Sequence, residues 1–302
     1  MTPGFAKTRA ELPWLPYGES SRVIINSHNF GGSWTPAQIS TALWLDAADS
    51  ATLTQSGGTC SAITDKSGNN RTFSQATSGN RPTTSSTQNG RTVLGFDGSR
   101  HMTSNGAASI WQFLNNSTGS SVFVACQPAL AANPNAGYAI LGTNRSTSAN
   151  IGYYLYWDDT DSLSRTAVLD VAVTRGVPGE QACRILSSNG FWTGNTFGTM
   201  GVISDPSNAT ASARLAARLN GNTALTTNAV TNAPIASDPI NTLQIGAGGN
   251  NATPLVGTIG EVIISSGLIS TTNREKVEGY LAHKWGTASL LPSGHPYKSV
   301  AP

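Results

Sequence analysis

The chain has 302 residues, about two fifths of them Ser, Thr, Asn or Gly, and only 11 % are charged, against about 25 % in an average soluble domain. With a net charge of +2 a polyanion surface would have to come from local clustering, and no Lys/Arg run supplies one, so nucleic acid is not expected as a partner. No stretch approaches the ~18 consecutive apolar residues of a membrane span, so membrane insertion is not expected.

The first 35 residues differ from the rest. Pro3, Pro13 and Pro16 favour extended geometry, and Glu11-Leu12-Pro13-Trp14-Leu15-Pro16-Tyr17 carries large apolar groups with neither a helical nor a strand period. Arg22-Val23-Ile24-Ile25 reads as a short β-like run before the Gly31-Gly32 break. Residues 1–35 are therefore expected to form an extended N-terminal arm, reaching ~115 Å when fully stretched. It either folds back on its own domain or is pinned to another subunit. The opening Met1–Lys7 lacks the basic-then-apolar layout of a secretory signal.

Residues 36–302 read as one domain. Pro36 after Thr35 suits the first turn of a short helix, with Thr35 as N-cap. Short apolar runs then recur between polar turns. They predict strands at Thr41–Leu45, Thr92–Phe96, Ser121–Gln127, Tyr138–Gly142, Ile151–Trp157, Leu169–Thr174, Ala182–Leu186, Thr199–Ser204, Ala213–Leu219, Thr242–Gly246 and Ile259–Ser265. Asn220-Gly221 signals a type I′ hairpin turn. Near the end, Thr272-Asn273-Arg274-Glu275 has capping-box spacing, and Val277, Tyr280, Leu281 and Lys284-Trp285 form one apolar stripe that Gly286 is placed to terminate. The pattern is that of an antiparallel sandwich or jelly roll with one helix on its outside.

Cys60, Cys126 and Cys183 are odd in number, widely spaced and without a CxxC pair. That excludes zinc ribbons and thioredoxin-type sites and makes a disulfide framework unexpected. Cys126, inside Val122-Phe123-Val124-Ala125-Cys126, reads as a buried thiol.

Both ends of this domain carry more specific motifs. Near its start stand Ala42-Leu43-Trp44-Leu45-Asp46-Ala47-Ala48-Asp49, Thr64-Asp65-Lys66-Ser67-Gly68-Asn69 and Leu94-Gly95-Phe96-Asp97-Gly98. Near its end stand Ile259-Gly260-Glu261-Val262-Ile263-Ile264, Glu278–Gly286 with the pattern YLA-x-KWG, and Leu291–Lys298 with LP-x-x-HPY. This order resembles the concanavalin A-like, laminin-G-like domains of tailed-phage virion proteins. The resemblance implies an all-β fold: a two-sheet antiparallel jelly-roll sandwich with one C-terminal helix packed on it, preceded by the arm. Such a fold hosts lectins, glycanases and structural shells alike. Trp44, Phe96, Tyr280 and Trp285 are expected as core anchors, and Asp65–Asn70 as a self-hydrogen-bonded turn.

Glycan hydrolysis needs two carboxyl groups ~5–9.5 Å apart, which glycanases of this architecture place at i and i+2 on one strand. Glu261 is followed by Val262 and Ile263, and the other glutamates (Glu11, Glu19, Glu180, Glu275, Glu278) fall in the arm, a turn or the helix. Neither a G-x-S-x-G nor a phosphate-binding fingerprint is present. No catalytic residue is expected. Asp158-Asp159-Thr160-Asp161, directly after the aromatic run Tyr153–Trp157, reads as an acidic loop. It is a candidate for calcium, with Asp158, Asp159 and Asp161 as oxygen ligands, and otherwise a solvated loop or an intersubunit contact. Trp157 and Trp192, the latter in Phe191-Trp192-Thr193-Gly194-Asn195, are candidate stacking surfaces for sugar, with Asn195 beside them. Apart from that possible calcium no cofactor is expected.

The sequence thus predicts a non-catalytic virion protein, assembled in the host cytoplasm as an oligomer or within a larger particle. Trp14, Tyr17, Val23, Ile24 and Ile25 would grip capsid or tail subunits. The alternative is a carbohydrate-binding host-attachment module, and a third reading is a polysaccharide depolymerase.

Overall fold

The computed structural model describes residues 33–129, 137–144, 149–160, 166–178, 180–188, 190–226 and 232–302, with 158–160 and 166 described by backbone alone. The arm residues Trp14, Tyr17, Val23, Ile24 and Ile25 lie outside the described residues, as does Asp161.

Alternation of apolar and small polar residues produces strands almost throughout. In chain order they are β1 (Leu43–Asp46), β2 (Leu53–Ser56), β3 (Thr59–Thr64), β4 (Thr72–Ser74), β5 (Thr83–Gln88), β6 (Arg91–Asp97), β7 (Met102–Ser104), β8 (Ser120–Pro128) and β9 (Gly137–Gly142). There follow β10 (Ile151–Thr160), β11 (Thr166–Arg175), β12 (Gln181–Leu186), β13 (Gly198–Ser204), β14 (Leu215–Leu219), β15 (Leu225–Thr226), β16 (Gln244–Ile245) and β17 (Val256–Ser266). All pairings between them are antiparallel.

The strands make an antiparallel sandwich that is nearly closed. One layer runs β5–β6–β17–β8–β13–β14–β15, with β1 also on β17. The other runs β4–β7–β16–β9–β10–β11–β12. The expectation of two separate sheets needs correction: β3 bonds to β5 of one layer and β4 of the other, so the ladder is continuous around one side. On the opposite side Arg214, just before β14, donates through Nη1 to the Ala182 carbonyl of β12 (3.0 Å). Between the layers lies the main core. Val122, Val124, Met200, Val202, Val262 and Ile264 of one layer belong to the same buried cluster as Tyr153, Leu155, Trp157, Leu169, Val171 and Ile185 of the other. Each such side chain contributes ~1.5–3 kcal/mol by leaving water.

The outer face of the first layer carries the helix. α1 (Thr271–Lys284) lays Val277, Leu281 and, just past its end, Trp285 on Trp44, Val93, Phe123 and Ile263. The expected stripe is therefore the buried one. The cap differs from expectation: Ser270, in extended geometry, accepts from Asn273 N (3.2 Å), so the helix begins one residue before the Thr272 capping box. Gly286 takes φ +75°, ending the helix. Gln88 and Asn89 from the β5–β6 turn then donate to the carbonyls of Trp285 (2.9 Å) and Lys284 (3.0 Å), satisfying carbonyls that a helix end leaves open.

Asn220 and Gly221 both have positive φ, as the I′ signal requires, but the ladder resumes only at Leu225. At Pro36–Gln38 there is one 3-10 turn, and the Thr35 side chain makes no capping bond. All three cysteines are free and buried. Burial pushes the Cys60 thiol up to about 11 and Cys183 to about 12.

Candidate functional site

The residues singled out in sequence are brought together, but in the interior. Trp157 and Trp192 meet edge to face at 6.1 Å between ring centroids, and both are buried in the interlayer core. Neither ring face is open to a sugar. Strand alternation explains it: Trp157 shares the inward face of β10 with Tyr153 and Leu155. Asp158 and Asp159 are not in a loop. β10 continues to Thr160, with Asp158 opposite Val168 and Gly137 and Thr160 opposite Thr166. The β-branched run of β11 carries the ladder past the aromatic residues. Among the described residues no group of three or more His, Cys, Asp or Glu side chains is placed to hold a metal ion.

The motif residues converge on a buried ion network beneath α1. Asp46 and Glu261 face each other in register across β1 and β17, an arrangement that is repulsive by itself. Lys284 resolves it, with Nζ 2.7 Å from Asp46 Oδ1 and 2.7 Å from Glu261 Oε2. Lys66 adds a second cation, 3.0 Å from Asp46 and 2.7 Å from Asp49. Glu261 also accepts from Trp44 Nε1 (2.7 Å), Trp285 Nε1 (2.9 Å) and the Tyr280 hydroxyl (3.0 Å). Burial drives the Glu261 carboxyl above its ordinary range, against the pull of the Lys284 ammonium. Burial, then the Glu261 and Asp46 charges, push the Tyr280 phenol up, which keeps its proton on as a donor. Glu261 is 1 % exposed, and the cavity beside it holds about 10 Å³. Two carboxylates are thus adjacent, as hydrolysis would require, but no substrate reaches them.

A second cluster fastens the C-terminal segment. His295 Nδ1 accepts from Tyr297 N (3.2 Å), so Nε2 carries the proton and faces Glu278 Oε2 at 3.2 Å. Arg274 pairs with the same carboxylate at 2.8 Å. The Asp65 turn is equally local: Asp65 Oδ1 accepts from Ser67 N and from Trp44 N, both 2.8 Å, and so ties the turn to β1.

The open site lies on the same outer face, beyond the end of the helix. A cleft of about 320 Å³ is lined from β5, β6, β17 and β8 and from the Arg100 and Asn195 loops. Its floor is one cross-strand row: Thr83 opposite Gly95, Gly95 opposite Thr258, Thr258 opposite Gln127. Partners in register share a face, so two hydroxyls and an amide stand in line. Gly95 makes the gap between them, since a Cβ there would come within 2.3 Å of the Thr83 hydroxyl. Asp97, two residues on along β6, stands on the same face with its side chain 51 % exposed. It accepts from Ser99 N (3.1 Å), Ser99 Oγ (2.7 Å) and Arg100 Nε (2.7 Å). Burial acts to raise its pKa, but the Ser99 and Arg100 bonds outweigh it and hold the carboxyl below the usual range. Gln127 donates to the Asn195 carbonyl at 2.5 Å. Of the sequence candidates among the described residues, Asn195 alone lines this cleft. Thr83, Thr258 and Gln127 went unseen because their proximity is a property of sheet register.

No family model matches the chain, and no curated protein is similar to it in sequence. Among solved structures it is similar to the botulinum neurotoxin serotype D binding domain, with a TM-score of 0.51 and 12 % identity over 79 % of this chain and 50 % of that one. The NanB sialidase of Streptococcus pneumoniae gives a TM-score of 0.42 at 16 % identity over 60 % of this chain, which spans 27 % of the sialidase. The Ruminococcus gnavus IT-sialidase CBM40 bound to α2,3-sialyllactose gives 0.38 at 12 % identity, over 52 % of this chain and 80 % of that one. The neurotoxin likeness agrees with the β-sandwich fold.

Proposed function

We propose that the chain is a non-catalytic, lectin-like module that recognises glycan in the open cleft. The observation that supports this most directly is the row Thr83–Gly95–Thr258–Gln127. Sugar hydroxyls both donate and accept, and this row offers both roles side by side. The cleft's volume is at the lower end of the ~300–1,000 Å³ usual for ligand sites, which suits a short glycan. The absence of catalysis is supported by the carboxylates: Asp97 is the one acid among the described lining residues, and the Asp46–Glu261 pair is sealed under α1.

Glycan-array screening of the full chain, followed by titration calorimetry, tests this. Gln127→Ala and Thr258→Val should each weaken binding about tenfold, the effect of losing ~1.4 kcal/mol of hydrogen bonding. Parent-like affinity in both variants would sink the reading.

A second reading concerns where such a module is displayed. The resemblance carried by the YLA-x-KWG helix and the HPY segment supports a place on a phage particle, with residues 1–32 gripping capsid or tail subunits and the module exposed to host glycan.

A further inference from the structure

The cleft's two charges are spent on each other. Arg100 gives Nε to Asp97 Oδ2 at 2.7 Å, and its Nη1 donates to the Arg81 carbonyl. Among the described lining residues these are the one cation and the one acid. What remains is uncharged and bidirectional. Asp97 keeps about one of its four lone-pair sites unused, after Ser99 N, Ser99 Oγ and Arg100 Nε have taken the others. Gln127 keeps its Oε1 and a second N–H, and the hydroxyls of Thr83 and Thr258 complete the row. No aromatic platform stands among them. Phe96 is 5 % exposed and joins Leu94 in the interlayer core.

We propose that the cleft selects uncharged, hydroxyl-rich sugars and discriminates against sialylated, uronic or sulfated ones. This rests on the glycan-binding reading above and adds the class of glycan. An anionic group has no unpaired cation to meet. If it reaches the N–H groups that Arg100 has left, it meets a guanidinium already neutralised by Asp97 and lies beside that carboxylate, a repulsive element built into the site. A neutral ring meets hydrogen-bonding groups edge-on and displaces nothing.

The test is a titration of the isotope-labelled full chain, followed through side-chain amide and backbone resonances. The probes are neutral hexose and N-acetylhexosamine oligosaccharides, 3′-sialyllactose and hyaluronate fragments. Neutral sugars should shift the Gln127 and Thr258 signals, with affinity changing less than about twofold between about 50 and 500 mM NaCl. The anionic probes should bind at least about tenfold more weakly. Asp97→Asn releases the guanidinium and should raise affinity for the anionic probes about tenfold or more, with binding that now weakens in salt. Its fold is verified by thermal unfolding. Tighter binding of an anionic probe by the parent at these same residues overturns the charge selection and leaves the glycan reading standing. Shifts from neither class overturn both, and an Asp97→Asn variant that folds but gains nothing overturns the neutralisation argument.

Discussion

His101 shows how one imidazole makes this fold sensitive to acid. It lies buried on the link from β6 to β7, and Nε2 is 2.9 Å from the Gln75 amide nitrogen, which can only donate to it. The ring is therefore neutral with its proton on Nδ1. Burial holds its pKa below the ordinary 6.5, against the opposite pull of a hydrogen bond to the Ser99 backbone. The unfolded chain then takes up a proton near pH 6.5 that the folded chain accepts only at lower pH, so stability falls as pH drops through that window. The loss is at most about 1.4 kcal/mol per pH unit. Urea unfolding at pH 7 and pH 5 should show a smaller acid-induced drop for His101→Phe than for the parent. Equal drops would mean that another group is responsible.

The attachment of α1 depends on opposed charges as much as on its apolar stripe. Lys284 at the last turn of the helix is the cation that lets Asp46 and Glu261 sit side by side, and the two indoles that donate to Glu261 come from β1 and from the helix end. Gly260 is the extra residue of a bulge in β17, and a Cβ there would lie 2.7 Å from the Trp285 ring, so the bulge makes room for that indole. Lys284→Met should cost about 3–5 kcal/mol in guanidinium unfolding, because it strands a buried carboxylate. Lys284→Met combined with Glu261→Gln should lose clearly less than the sum of the single losses. Additive losses would refute the coupling. The sequence shows why these elements exist, and less of why they meet. The stripe Val277–Leu281–Trp285 and the apolar alternation of β8, β10 and β17 were legible because burial imposes a period. β2, β4 and β5 (LTQS, TFS, TTSSTQ) were not, since their Ser and Thr look like loop when the ladder that pairs them is unknown. Asn89-Gly90 was legible and passed over: both have positive φ in the two-residue turn between Gln88 and Arg91. Trp157 and Trp192 misled because an aromatic next to polar residues reads as exposed, although strand parity sends Trp157 inward.

Ser33–Pro302 holds together as one compact unit with its own core. A chain lacking residues 1–32 should therefore unfold cooperatively, with the cleft's glycan affinity within about twofold of the full chain. If the arm is the grip, that same truncated chain should no longer join particles. Multistep melting of the truncated chain would contradict the first expectation, and normal particle occupancy the second. The two long sides of the sandwich are joined by different means. Along one, β3 stitches the layers with main-chain bonds to β4 and β5. Along the other, a guanidinium reaches across, Arg214 holding the carbonyls of Ala182 and Asn232. Among the described residues that margin is crossed by side-chain bonds, from Arg214 and from Asn232 to the Gln181 carbonyl, and such a seam should part before a ladder does, so the molecule should open like a book with its spine at β3. The cleft lies near the spine, where breathing of the far margin leaves its hydroxyl row undisturbed.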